Sequence, residues 1–285
     1  MTKVGAPGEE VEARARTAAR RASPWVEIVA RVGYVAKGVV YAVIGLLALQ
    51  EALGVGGRTT DPTGAMQSVG SLGSWPFGAA MLALLAAGLA GYALWKVVQG
   101  IMDPDGRGAD AHGILRRVGF VGSGVLHGVL AFIAAQSILG AEDSSEDAMA
   151  ASALAYGGQL GPLLVGLAGL VVIGVGLYQL YAAYADKFLR ELMLDRMSNA
   201  QRRGVTYAGR LGTAARALAI GVAGVFLIFA AYQSDPAEVR GLGGALETVQ
   251  RGPFGSYMLA AIAAGLLVYG AFMLAVALYR RIAAA

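Results

Sequence analysis

Six long, mostly apolar stretches govern what this chain can fold into. They run near 28–53, 76–100, 114–140, 160–184, 205–232 and 254–280. A helix needs about 20 such residues to cross the hydrocarbon core of a bilayer. Within that core every backbone polar group must be bonded internally, which leaves helices and closed barrels as spanning structures. None of the six stretches alternates polar and apolar residues, so a barrel is set aside. The expected fold class is all-α: a polytopic helical membrane protein with six transmembrane helices. Composition agrees, with 56% hydrophobic and only 15% charged residues. Those values argue against a disordered chain and against an ordinary soluble enzyme. The absence of Cys removes disulfides and any cysteine-ligated metal or cluster.

Charge supplies the orientation. The net charge of +4 would suggest nucleic acid in a soluble protein, but no basic run is interleaved with stacking aromatics. Instead 20 of the 23 Lys and Arg residues fall in or beside the N-terminal leader, the 101–113 and 185–204 connections and the C-terminus. The other three, Arg58, Arg240 and Arg251, lie in the alternate loops. Positively charged loops stay in the cytoplasm, so both termini are expected there. Trp25, Trp75, Trp95 and several Tyr residues, among them Tyr156, Tyr181 and Tyr232, sit at span ends, where an aromatic belt is expected.

The spans form a two-helix unit used three times. Arg31-Val-Gly-Tyr, Arg117-Val-Gly-Phe and Arg210-Leu-Gly-Thr open the odd spans. Six residues beyond each Arg stand Lys37, Ser123 and Arg216; next come Gly38, Gly124 and Ala217; at ten stand Tyr41, His127 and Ile220. The even spans start at Pro76, Pro162 and Pro253. Twelve residues on are Gly88, Gly174 and Gly265, and sixteen on are Tyr92, Tyr178 and Tyr269. Gly and Tyr one turn apart share a face, so these are packing positions, with Gly admitting a neighbouring backbone and Tyr filling the space beside it. An even number of spans per unit keeps the three units in one orientation. They either close around a pseudo-threefold axis or lie side by side.

The Arg-x-Gly-Tyr-x-x-Lys-Gly-x-x-Tyr run at 31–41, Pro-Phe-Gly at 76–78 and Gly-x-x-x-Tyr at 88–92 resemble the bacterial domain-of-unknown-function 1206 family. The resemblance covers about residues 25–282 and is strongest in the first unit. It implies three tandem two-helix units in a bacterial inner membrane and no particular activity. On this division, 1–24 is a cytoplasmic arm, 25–110 is repeat 1, 111–204 is repeat 2 and 205–285 is repeat 3. Repeat 2 is expected to end in an amphipathic interfacial helix at 186–203, with Phe188, Leu192 and Met193 on one face beside Lys187, Arg190 and Arg196. Anionic lipid at the cytoplasmic face is its expected contact.

The polar residues inside the spans are the candidates for a site. Lys37 and Arg216 lie about 9 Å of helical rise beyond an Arg that marks the interface. They either form a positive ring that holds an anion or lipid headgroup, or they snorkel or bond across helices. His127, at the position of Tyr41, is either a proton relay or a polar tie between helices. The Asp103–Asp110 connection lacks the ligands of a calcium loop. No nucleotide-binding loop, metal-binding helix motif or nucleophile elbow is present, so neither an enzyme nor a cofactor or metal site is expected. Two function classes fit: a structural, interaction or lipid-associated protein of the inner membrane, and a small anion or proton channel or transporter with a path between the repeats.

Overall fold

The computed structural model describes residues 7–62, 64–65, 68, 77–103, 108, 110–138, 150–151, 153–155, 157–158 and 160–281. Six long helices carry the architecture: α1 Pro7–Ala52, α2 Phe77–Met102, α3 Ala111–Ile138, α4 Leu160–Tyr184, α5 Asn199–Gln233 and, after the short α6 Leu242–Arg251, α7 Gly255–Tyr279. α1 carries the arm and the first span in one uninterrupted helix from Pro7. Each of the six is long and apolar enough to cross a membrane. Residues 1–6 of the arm, Pro76, Trp75 and Tyr156, and the side chains of Trp25 and Gln136, lie outside the description, as do most of the residues between Asp103 and Asp110.

Small residues set the packing. Helices in lipid gain nothing from hiding apolar surface from one another, so close backbone approach supplies the attraction. A Cβ placed on Gly38 of α1 would lie 3.0 Å from the Gly270 carbonyl of α7, and one on Gly124 of α3 would lie 2.9 Å from the Ala93 carbonyl of α2. In repeat coordinates these are one contact: seventh after the Arg against seventeenth after the Pro. α4 and α5 pack comparably closely through Gly169 and Gly224. Thus the second helix of each unit lies against the first helix of the next, and α7 of the third unit returns to α1 of the first.

The Arg that opens each unit secures the same junction. Arg31 donates to the Ala277 and Leu278 carbonyls at the end of α7, with 2.7 Å to the second. Arg117 donates to the Gly100 and Ile101 carbonyls at the end of α2, at 2.8 and 2.7 Å. Arg210 instead takes the Asp186 carboxylate just beyond α4, with both oxygens engaged. All three partners fall 24 or 25 residues after the unit's Pro. A helix C-terminus exposes unbonded carbonyls and a partial negative charge, which a guanidinium satisfies.

Within units the pattern breaks once. Gly33 on α1 lies against the Tyr92 backbone of α2, and Gly212 on α5 lies against the Tyr269 backbone of α7. The equivalent pair in the middle unit would be Gly119 and Tyr178. A Cβ on Gly119 would meet nothing described within 4 Å, the same holds for Gly174, and Tyr178 is 46% exposed. The assignment of Gly174 and Tyr178 to helix packing is therefore corrected: both face outward. The helices form an arc in the order α3, α2, α1, α7, α5, α4, with α3 and α4 at its two ends. Only 22% of the spanning windows of α3 and α4 is buried, against 56% for α1 and α2.

The segment 186–203 is also corrected. Asp186 takes a left-handed conformation (φ 50°) that ends the run from α4, and two 3₁₀ turns follow, Lys187–Glu191 and Leu194–Arg196. Between them the chain is extended and pairs with the end of α7: Leu192 and Arg280 form a bridge, Met193 N–H donates to the Tyr279 carbonyl and Arg281 N–H to that of Glu191. A capping box of Ser198 and Gln201 then starts α5. The apolar residues read as one lipid-facing stripe turn inward, with Phe188 against Gly209 and Phe272 and with Leu192 in the core. In the third unit Pro253 precedes α7 rather than sitting in its first turn, and Phe254 at φ 58° makes the entry. Pro162 lies third in α4.

Candidate functional site

The concave side of the arc carries the polar residues. Lys37 Nζ donates to the Tyr92 hydroxyl oxygen at 3.1 Å and lies 4.6 Å from the centre of that ring. Arg216 donates to the Tyr41 hydroxyl at 2.7 Å and to the Gln179 side-chain carbonyl, tying α5 to α1 and α4. Its guanidinium also faces the Tyr41 and Tyr269 rings, at 5.1 and 5.4 Å. His127 Nδ1 lies 2.8 Å from the Ser123 carbonyl. A carbonyl only accepts, so Nδ1 carries the proton. The imidazole packs on Tyr92 with ring centroids 4.5 Å apart. Edge-to-face pairs, Tyr34 with Tyr92 and Tyr41 with Tyr269, complete an aromatic lining.

Two further cations join this cluster. Lys96, one turn beyond Tyr92 on α2, donates to Gln99 at 2.9 Å and faces the Phe120 ring at 4.5 Å. Arg280, just past α7, pairs with Glu191 of the 3₁₀ segment at 2.6 Å and faces the Tyr34 ring at 5.0 Å. In the sequence Lys96 and Arg280 count among cations at span ends, and that tally hides them. The usable signal is spacing: Lys96 is four residues from Tyr92, hence on its face. Lys37, Lys96 and Arg280 are 6, 7 and 6% exposed. They share a cavity of about 160 Å³ with Tyr34, Tyr92 and Glu191, floored by Phe188 and Leu192 of the 3₁₀ segment.

The cavity lies at the end of the bundle that holds the three unit-opening arginines. Towards the other end the interior is filled: Ile44, Leu259 and Leu266 are fully buried. There the amphipathic α6 packs on α5 and α7 with Leu242, Ala245 and Leu246 buried, and Gln250 donates to Glu51 at 2.9 Å. Among the described residues no three His, Asp or Glu side chains stand together as metal ligands do.

Of the residues singled out from sequence, Lys37, Tyr92 and Tyr269 line the cavity, and Tyr41, Arg216 and His127 stand on the same concave side. Gly38, Gly124, Gly88 and Gly265 lie at helix–helix contacts: Gly88 against Ala36 and Gly265 against Ala215. Tyr178 and Gly174 belong to neither group.

These features define a multi-pass helical membrane protein built from three tandem hairpins with a polar interior at one end. The chain belongs to the family described as Domain of Unknown Function (DUF1206), whose model matches residues 32–103, 118–186 and 211–280, one match per unit. It is 31% identical over 257 residues to the uncharacterized protein YxxB of Bacillus subtilis (strain 168), covering 90% of this chain and 92% of that one. No solved structure matches it.

Proposed function

We propose that this protein resides in the bacterial cytoplasmic membrane with both termini inside, and acts as a lipid-associated structural or interaction protein rather than as a conduit or a catalyst. The observation that carries this is the way the polar residues of the units are spent on one another. Lys37 is tied to Tyr92, Arg216 to Tyr41 and Gln179, and His127 to its own helix. Beyond them the interior is closed by Ile44, Leu259 and Leu266. A conducting path needs polar surface along its whole length, and sites weak enough to let the ion leave. Here the polar layer stops partway along the bundle. Excess Lys and Arg on the cavity side supports a cytoplasmic position for that end.

The test is flux of potassium, chloride and protons in proteoliposomes. The protein should add nothing above empty liposomes. Flux that disappears in a folded Lys37→Ala/Arg216→Ala variant would instead establish the second reading, a small-ion channel or transporter. The outward-facing Gly119 and Tyr178 of the middle unit speak for that reading, since a splayed unit leaves the interior less enclosed on one side.

A further inference from the structure

Positive side chains from α1, α2 and the end of α7 gather at the cavity on the concave side. Its described lining includes three cations, Lys37, Lys96 and Arg280, and one carboxylate, Glu191, which is paired with Arg280. Removing an ion from water costs several kcal/mol even after relaxation. Aromatic faces return little of that: a cation over a Tyr ring gains about 0.5–2 kcal/mol. An anion in the cavity would meet all three cations at once. The available space, about 160 Å³, is many times the roughly 10–15 Å³ that one water needs. The donors are also of the right kind. Two ammonium groups, a guanidinium and tyrosine hydroxyls converge from α1, α2 and the end of α7. Several N–H and O–H donors around one space suit an acceptor with several oxygens.

We propose that this cavity binds a phosphoryl-type oxyanion, held by Lys37, Lys96 and Arg280, as free phosphate or as the phosphate of a phospholipid headgroup. Glu191 sets the strength of the site from within by holding Arg280 and by repelling the anion. The site deepens the lipid-associated reading when the source is a headgroup. It stands without that reading when the source is free phosphate.

The experiment uses the full-length protein in nanodiscs. In phosphatidylcholine discs, inorganic phosphate is titrated calorimetrically against chloride at matched ionic strength. In discs containing phosphatidylglycerol, retained lipid is counted by native mass spectrometry. Heat from phosphate alone identifies a free oxyanion and removes the lipid reading without removing the site. Retained phosphatidylglycerol alone, or both signals, identifies the headgroup. Lys37→Gln and Lys96→Gln should each weaken the bound species by about tenfold or more, as loss of a charged hydrogen bond implies. Glu191→Gln should tighten it several-fold, a change of opposite sign that a misfolded variant cannot mimic. The proposal falls if neither probe binds, if binding is unchanged in both Lys variants, or if Glu191→Gln weakens it.

Discussion

The contrast between the middle unit and its sisters can be measured one methyl group at a time. Alanine at Gly33 puts a Cβ 2.7 Å from the backbone nitrogen of Tyr92, and alanine at Gly212 puts one 2.6 Å from that of Tyr269. Comfortable carbon contacts begin near about 3.5 Å, so the helices must separate by nearly an ångström. The obstruction is backbone, which cannot rotate away, so the cost falls at the upper end of the usual overpacking range, about 3 kcal/mol. Replacing Gly by Ala in a helix returns about 1 kcal/mol. Gly33→Ala and Gly212→Ala should therefore each destabilise the protein by a net of about 2 kcal/mol. Gly119→Ala meets no described atom within 4 Å and should keep the favourable term of up to about 1 kcal/mol. The assay is equilibrium unfolding in mixed detergent micelles, followed by circular dichroism. If Gly119→Ala loses as much stability as Gly33→Ala, then α3 and α4 pack like the other two hairpins and the open arc is wrong.

Tyr41→Phe removes the acceptor that Arg216 uses and should cost about 1–3 kcal/mol in the same assay, whereas Tyr178→Phe, on an exposed ring, should change stability by less than about 0.5 kcal/mol. The Asp186 carboxyl is held below the usual carboxylate range by its hydrogen bonds from Arg210. A carboxyl lowered in this way contributes stability above its unfolded pKa, and that contribution disappears as pH falls through the lower, folded value. Asp186→Asn should flatten this part of the acid side of a stability–pH curve, leaving neutral pH as the region where the variant is weaker. Because the chain has no native cysteine, an impermeant maleimide reports topology directly: Arg58→Cys should be labelled in intact cells and Asn199→Cys only after lysis. The reverse pattern would invert the orientation.

Much of the fold was legible because the bilayer simplifies it. A span must be long, apolar and internally bonded, so six apolar stretches translate into six helices, and the repeats were visible because Arg, Gly and Tyr recur at fixed offsets. What each repeated residue touches was less legible. The neighbouring-helix partners of Arg31 and Arg117 are backbone carbonyls, which leave no trace in side-chain identity. Lys96 and Arg280 read as interface charges because position along a helix does not say which way the helix faces. The 186–203 segment has helical spacing, yet one left-handed Asp and an extended pairing to α7 outweigh it. The open middle unit could not be read at all, since Gly119, Gly174 and Tyr178 stand at the same offsets as residues that pack.

The open side of the arc also determines where the chain can be cut. The helices at the two ends of the arc, α3 and α4, are consecutive in sequence, while α1 and α7, nearest the termini, meet in its middle. Leu154, just before α4, already rests on the α4–α5 pair with Val165, Ala230 and Ala231. A break in the 139–149 connection would thus leave two pieces, each with three of the long helices, that meet at the α1–α7 contact. Their shared seam, with Gly38 against Gly270 and Arg31 on the last turn of α7, is an interface between fragments in all but covalent continuity. Co-expressed halves should find each other through that seam, as two subunits would.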